Sequence, residues 1–227
     1  MTEAPDPRFA ELRELLFAHP AMARELPGFD PQEVPEAPAQ LFADWLIGAL
    51  RAGVPDPQVA VLGTTGLDGA PDGRVVGLRE LEPEQQVWWF HGDAQSPKGR
   101  QLAADPRASL TWYWPALGRQ VRVRGAVETA PAERTAAAVR ELSPRSRVAA
   151  LVGRQSEPLA GEAEFRAAWA AADRLLAEQP GAEPPGYRQY GVRAGTVEFW
   201  QGSFDRKHVR LLYRRDGEGW HRELLWP

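Results

Sequence analysis

The residues best suited to chemistry lie near the C-terminus, in the stretch EFWQGSFDRKHVRLLYRR at residues 198–215. It holds Trp200, Arg206, His208 and Arg210, and otherwise has the pattern of two strands and a turn. Guanidinium groups bind phosphate through paired hydrogen bonds, and a histidine can donate to a phosphate or transfer a proton. The pattern predicts one wall of an anion site. Taken alone, Arg206 and His208 also fit a solvated surface turn, and Trp200 also fits core packing.

Four further segments are rich in groups that suit a phosphate. They are GRVVGLR (73–79), SPKGRQL (96–102), GRQVRVRG (118–125) and GRQSEP (153–158). Lys98 falls in the first turn of a predicted helix, where free backbone N–H groups and the helix dipole already favour an anion. Each segment alone also fits a solvated surface charge, so the prediction depends on their order and spacing.

The composition limits what these groups can bind. The formal net charge is -4, which argues against nucleic acid and membrane surfaces as partners, because binding a phosphate backbone needs a positive footprint. The 227 residues include no cysteine, so thiolate chemistry and iron–sulfur clusters are excluded and redox chemistry would need an organic cofactor. The four histidines are not at metal-ligand spacing, so no metal is expected.

The N-terminal 25 residues are acidic and amphipathic and lack the apolar core of a signal peptide. No segment approaches the roughly 20 apolar residues of a spanning helix. We therefore expect a cytoplasmic protein with no membrane association.

Hydrophobic periodicity predicts helices and short strands along the chain. The predicted helices cover 9–16, 41–50, 96–106, 132–142 and 162–179. The predicted strands cover 59–65, 74–81, 86–92, 108–114, 119–128, 196–202, 209–215 and 219–225. In strand 119–128, Arg122 and Arg124 alternate with Val121 and Val123, as in a half-buried strand.

Short strands in succession, with helices at the edges, favour an α+β fold with an antiparallel barrel over a parallel doubly wound sheet. The Pro-rich segment FDPQEVPEAPAQ at 29–40 has the pattern of an extended connector. We therefore predict an N-terminal helix and connector arm over 1–37, and one barrel domain over 38–227.

Five motifs, in this order, resemble the pyridoxamine 5′-phosphate oxidase family, which comprises FMN flavoproteins with a split β-barrel fold. The resemblance runs from about Pro38 to Pro227. The motifs are Arg-Val-Val-x-Leu from Arg74, Ser-x-Lys-Gly-Arg-Gln-Leu at 96–102, Trp-Tyr-Trp followed by Arg-Gln-Val-Arg-Val-x-Gly, Gln155-Ser156, and Glu-Phe-Trp-Gln-Gly followed by Arg-x-His-x-Arg. The resemblance implies a homodimer that holds FMN at its interface and oxidises pyridoxine or pyridoxamine 5′-phosphate to pyridoxal 5′-phosphate with oxygen.

The resemblance also implies roles for individual residues. The cofactor-binding residues would be Arg74, Val75, Val76, Lys98, Gln120, Gln155, Ser156, Trp200 and Arg210. Of these, Gln155 and Ser156 would reach the flavin from the partner subunit. The small phosphorylated substrate would contact Arg79, Ser146, Arg206 and His208. Arg206 and His208 are also the candidate catalytic residues.

The sequence departs from the family mainly at the contacts to substrate phosphate. Arg79 replaces a lysine, and a tyrosine and an arginine before Gln155 are missing, with Leu142 or Ser143 at the arginine position. His91-Gly92 replaces a Tyr-Thr pair on a predicted strand. The FMN contacts are retained more fully than the substrate contacts.

Two alternatives therefore stay open. One is a flavin oxidase or reductase of the same fold that acts on a different small molecule. The other is a cofactor-free or haem-binding barrel, for which the few histidines offer little support.

Overall fold

The computed structural model describes residues 6–227, which form six α-helices, one short 3-10 helix and eight β-strands. The α-helices are α1 (Pro7–Ala18), α2 (Pro38–Arg51), α3 (Pro97–Ala104), α4 (Ala132–Arg140), α5 (Pro144–Val152) and α6 (Glu162–Glu178). The strands are β1 (Val59–Thr65), β2 (Pro71–Glu82), β3 (Val87–Asp93), β4 (Arg107–Trp114), β5 (Arg119–Thr129), β6 (Tyr187–Gln201), β7 (Val209–Asp216) and β8 (Gly219–Leu224).

The strands form one antiparallel sheet in the order β3-β2-β1-β4-β5-β6-β7-β8. A further pairing of β3 with β6 closes the first six strands into a barrel. The long strand β6 makes closure possible, because its first part, 187–193, pairs with β3 and its second part, 196–201, pairs with β7. The predicted antiparallel barrel with peripheral helices is confirmed.

Alternation along β5 separates the barrel interior from its outer surface. Val121 and Val123 are fully buried, whereas Arg122 and Arg124 are exposed, as their period of two predicts. The register of β5 against β6 shifts between Arg124 and Gly125. A side chain at Gly125 would lie 1.8 Å from the carbonyl oxygen of Arg193, so this irregularity requires glycine.

Helix α2 packs its aromatic side chains into the barrel core. The Phe42 ring lies 4.7 Å from the Trp112 ring and 5.7 Å from the Trp88 ring, and the Trp45 ring lies 5.2 Å from that of Phe199. Burying each aromatic side chain contributes roughly 1.5–3 kcal/mol, so this cluster fixes α2 against the barrel.

The N-terminal arm contacts the barrel through its connector. The side chains of α1 are exposed, but Phe29 and Val34 pack against the core. The Tyr213 hydroxyl donates a 2.8 Å hydrogen bond to the Pro35 carbonyl. Residues 1–5 lie outside the described residues, and the domain division at residue 37 stays a prediction.

Two elements differ from the sequence-based prediction. Strand β6 begins at Tyr187 rather than at residue 196, because Gly191 and Gly195 obscure the alternation and residues 189–192 are buried on both faces. Helix α5 was not predicted. Pro144 ends the preceding helical pattern but occupies the first turn of α5, and Ser143 caps that helix by accepting from the Ser146 N–H.

Within residues 6–227, no helix is both long enough and apolar enough to cross a bilayer.

Candidate functional site

A pocket of about 580 Å³ opens between strands β2 and β3 and helices α5 and α6. One end is polar and the helical side is mainly apolar. The polar end is lined by Arg79, His91, Asp93, Lys98, Gln155 and Tyr187. The apolar side is lined by Val75, Val76, Leu142, Ala149, Val152, Leu159, Phe165 and Trp169.

Lys98 is buried at the polar end, in the first turn of α3. Lys98 is only 7% exposed. Its ammonium group donates to the Ser96 hydroxyl at 3.2 Å and to the amide oxygen of Gln155. No described residue forms a salt bridge with it. Burial lowers the pKa of Lys98, the nearby charge of Arg74 lowers it further, and the carboxylate of Asp93 offsets part of this shift. The pocket therefore contains a desolvated cation bonded only to neutral groups.

Gly92 leaves room for that lysine. A Cβ atom at this position would lie 2.7 Å from Cε of Lys98, closer than side-chain atoms approach one another. The glycine that replaces a threonine of the family pattern thus allows Lys98 to lie along strand β3.

His91 and Tyr187 form a pair beside Lys98. Nδ1 of His91 and the Tyr187 hydroxyl share a hydrogen bond, and the two ring centroids are 5.0 Å apart. Burial, assisted by the charge of Arg79, lowers the pKa of His91 to about 4. Burial raises the pKa of Tyr187 to about 12. Both side chains are therefore neutral near pH 7.

Arg74 is held beside the pocket rather than in its lining. Its guanidinium donates to the amide oxygen of Gln101 at 3.0 Å and to the Thr64 hydroxyl, and it forms a salt bridge with Asp72. Its predicted contact with a cofactor stays a prediction.

Gln155 lies at the polar end of the pocket of its own chain, and its predicted reach to a flavin from the partner subunit stays a prediction. It bonds to Lys98 of its own chain, because the loop after α5 folds over the start of α3. Ser156 follows with a φ of 71° and is exposed, outside the pocket lining. Ser146, on α5, does line the pocket.

A second group of predicted residues lies on the outer surface of the barrel, and we call it the strand cluster: Gln120, Trp200, His208 and Arg210. Trp200 pairs in register with Gln120 on one side and with Arg210 on the other. The Trp200 and His208 rings are 5.0 Å apart. The Ser203 N–H donates to Nδ1 of His208 at 3.0 Å, which leaves Nε2 of His208 as the donor of the neutral ring.

Glu198 fixes the orientation of Arg210. The Glu198 side chain is 6% exposed, and it accepts from Nε of Arg210 at 2.8 Å and from Arg122 at 2.6 Å. The buried carboxylate lies between the two guanidinium groups, so removing it would release both arginines.

Arg206 lies in the turn that precedes β7. Its φ is 67°, its backbone N–H donates to the Ser203 carbonyl at 3.2 Å, and it is exposed. Neither Arg206 nor any member of the strand cluster lines the pocket. The chain therefore carries the predicted site residues in two separate groups.

The sequence reasoning missed some pocket residues. Phe165 and Trp169 share one face of the predicted helix 162–179 and were given no role in the site, yet both line the pocket and Phe165 is 46% exposed. His91 was noted only as a departure from the family pattern. Tyr187 is a second departure, because it begins the segment Tyr187-Arg-Gln-Tyr-Gly where the family commonly has Trp-Gly-Gly-Tyr-Arg. The observation that could have linked the two residues is that both departures lie on strands that pair in the barrel.

The closed barrel is that of a split β-barrel protein, and its pocket contains the buried cation of Lys98. The profile described as pyridoxamine 5′-phosphate oxidase matches residues 46–200. A second, described as the pyridoxine 5′-phosphate oxidase C-terminal dimerisation region, matches residues 187–227. The chain belongs to the pyridoxamine 5′-phosphate oxidase family, as its motifs predicted.

Several named proteins are similar over most of the chain. A pyridoxine/pyridoxamine 5′-phosphate oxidase of Thermosynechococcus vestitus is 40% identical over 192 residues, covering 85% of this chain and 90% of that protein. A protein of the same name from Rubrobacter xylanophilus is 37% identical over 190 residues, covering 84% and 87%. The crystal structure of PhzG from Burkholderia lata, in complex with tetrahydrophenazine-1-carboxylic acid, matches with a TM-score of 0.81 at 27% identity, covering 90% of this chain and all of that one.

Proposed function

We propose that the chain is an FMN-dependent oxidase that converts pyridoxine or pyridoxamine 5′-phosphate to pyridoxal 5′-phosphate with oxygen. The observation that carries the proposal is the buried ammonium of Lys98, which lacks a carboxylate partner among residues 6–227. A desolvated cation at a helix start is stabilised by an anion such as a phosphate.

The pocket residues fit FMN. Lys98, in the first turn of α3, would hold the phosphate, and the backbone of β2 at Val75 and Val76 would line the ring system. The bound flavin would supply the two-electron oxidation. The chain itself would bind and orient the substrate, exclude water and move the proton.

Two cations that line the pocket differ in their availability for a substrate phosphate. Arg154 is already paired with Glu157 at 2.9 Å and with Glu164 at 2.8 Å. Arg79 forms no salt bridge or side-chain hydrogen bond with any residue from 6 to 227. Arg79, together with Ser146, is therefore the group that would bind the substrate phosphate from the pocket side.

The strand cluster would complete the site from a second copy of the chain, in a homodimer. It lies within residues 187–227, apart from Gln120, and this is the segment matched by the dimerisation-region profile. In this arrangement Gln120, Trp200 and Arg210 of one copy contact the flavin in the pocket of the other. Arg206 and His208 contact the substrate, and Nε2–H of His208 would donate a hydrogen bond to it.

A second candidate is oxidation of a larger aromatic molecule at the same site. The apolar side of the pocket, formed by Leu142, Phe165 and Trp169 among others, could accommodate a fused ring system. The structure of the related PhzG holds a tricyclic acid. The position where the family has a phosphate-binding arginine holds Leu142 or Ser143, neither of which carries a charge, and this favours the second candidate.

One experiment separates these functions. The purified chain is reconstituted with FMN, and each phosphorylated vitamer is added under air while the aldehyde product is followed. We expect product formation, and a loss of turnover of about 100-fold or more in His208→Ala. A flavin-loaded chain that oxidises a tricyclic carboxylic acid but no vitamer would instead support the second candidate. A chain that binds no FMN would contradict both.

A further inference from the structure

In the pair formed by His91 and Tyr187, one nitrogen of the His91 ring forms no hydrogen bond with any described residue. Nε2 of His91 is buried, and no described residue offers it a hydrogen-bond partner. Nδ1 of the same ring bonds to the Tyr187 hydroxyl. Both side chains line the pocket that contains Arg79 and Lys98.

The buried nitrogen indicates which tautomer the ring adopts. A neutral imidazole carries one proton, and the ring is neutral because burial lowers the pKa of His91 to about 4. A proton on Nε2 would be a buried donor without an acceptor, which costs more than a buried nitrogen lone pair left unused. The proton therefore belongs on Nδ1, and His91 donates to the oxygen of Tyr187.

The tautomer in turn sets the direction of the Tyr187 hydroxyl. Because its oxygen accepts from His91, its own proton is free for another acceptor. The hydroxyl stays protonated, since burial raises the pKa of Tyr187 to about 12. Of the cations that line the pocket, Arg154 is paired with Glu157 and Glu164, whereas Arg79 and Lys98 form no salt bridge with any residue from 6 to 227. The carboxylate of Asp93 accepts from the Gln95 N–H. The acceptor that fits beside Arg79 and Lys98 is therefore a bound anion.

We propose that Tyr187, oriented by His91, donates a hydrogen bond to a phosphate group bound in this pocket, and that His91 acts only as a positioning residue. The inference rests on the proposed function, because it assigns a further contact to the same site. The pair supplies a hydroxyl donor to a site whose sequence lacks the family's phosphate-binding tyrosine. The phosphate belongs either to the cofactor or to the substrate, and the test distinguishes the two.

The first variant is Tyr187→Phe, which removes the hydroxyl and keeps the ring. Titration of the apo-protein with FMN and with riboflavin measures the contribution of the cofactor phosphate. Steady-state kinetics with pyridoxine 5′-phosphate measure KM and kcat for the substrate phosphate. We expect one phosphate-dependent constant, either the Kd for FMN or the KM, to rise about 10-fold or more, with the Kd for riboflavin unchanged.

The matched control is Tyr213→Phe. It makes the same chemical change and also removes a hydrogen bond, the one to Pro35, but outside the pocket. Its Kd values and KM should equal those of the wild type.

Variants of His91 test the positioning role. Asn places an amide donor close to the position of Nδ1, so His91→Asn should keep most of the affinity, whereas His91→Phe should match Tyr187→Phe. The double variant His91→Phe/Tyr187→Phe should be no weaker than Tyr187→Phe alone, because His91 acts through Tyr187.

Two outcomes would overturn the inference: unchanged FMN affinity and KM in Tyr187→Phe, or fully additive losses in the double variant. Either could occur while the wild type oxidises vitamers, which would leave the proposed function standing. Conversely, FMN affinity that depends on Tyr187 in a chain that oxidises no vitamer would support the inference and contradict the proposed function.

Discussion

The buried ammonium of Lys98 donates to the amide oxygen of Gln155, 57 residues further along the chain, rather than to a carboxylate. An amide stabilises a buried cation less than an anion does, so the pair leaves the charge of Lys98 partly uncompensated. The same pocket contains Arg79, which has no partner among the described residues. The pocket thus contains two cations, Lys98 and Arg79, that form no salt bridge with any residue from 6 to 227.

Substituting Lys98→Met tests whether the buried ammonium of Lys98 binds a phosphate. Met fills a similar volume without a charge, so the apo-protein should unfold at a temperature no lower than that of the wild type. Its Kd for FMN should rise about 10- to 100-fold, because one charge-assisted contact to phosphate is lost. Thermal unfolding of the apo-protein and titration with FMN measure the two effects.

Arg100→Met is the control, because Arg100 lies on the same helix but is exposed and bonds to the Gln95 carbonyl. It should leave the Kd for FMN unchanged. Equal FMN affinity in the wild type and in Lys98→Met would show that the ammonium does not bind the phosphate.

Removing the Arg79 side chain should weaken binding of the substrate rather than binding of the flavin. In Arg79→Ala, KM for pyridoxine 5′-phosphate should rise about 10-fold or more with kcat nearly unchanged, since the contact is made equally in the ground state and the transition state. Steady-state kinetics at saturating FMN check this. Arg193→Ala is the control, because Arg193 pairs with Glu128 outside the pocket. A fall in kcat at constant KM would contradict a role in binding alone.

His91 should make the free energy of unfolding depend on pH between about 4 and 6.5. Its pKa is about 4 in the folded chain and 6.5 ordinarily, so between these values the unfolded chain binds more protons. The free energy of unfolding therefore falls as the pH drops from 6.5 towards 4. We expect His91→Phe to reduce that fall by about 1–2 kcal/mol, allowing for screening of a partly exposed ring. Denaturant unfolding at several pH values measures it, and parallel curves for both proteins would contradict the shifted pKa.

The sequence predicted the barrel because its strands are short and strongly patterned. Val121 and Val123 alternate with arginines, and Asp216-Gly217 marks the hairpin between β7 and β8. The extent of β6 could not be predicted, because a strand buried on both faces and interrupted by glycines carries no alternation. Motif order was sufficient to identify the family.

The arrangement of the site was harder to predict, because spacing along a chain does not specify which face of a barrel a residue occupies. Lys98 and Gln155 meet in one pocket, whereas Trp200 and His208 lie elsewhere on the same chain. The contact between His91 and Tyr187 depends on the closure of β3 onto β6, which local pattern does not encode.

Complementation between two inactive chains tests most directly that one site is built from two copies. One chain carries Lys98→Met and Arg79→Ala in the pocket, and the other carries Arg206→Ala and His208→Ala. Each should be inactive alone with pyridoxine 5′-phosphate at limiting FMN. Co-expressed, half of the randomly formed dimers are mixed and each mixed dimer has one intact site, so about a quarter of the wild-type turnover should return. No return of turnover in verified mixed dimers would contradict the account, because it would place both groups of residues in a site within one chain.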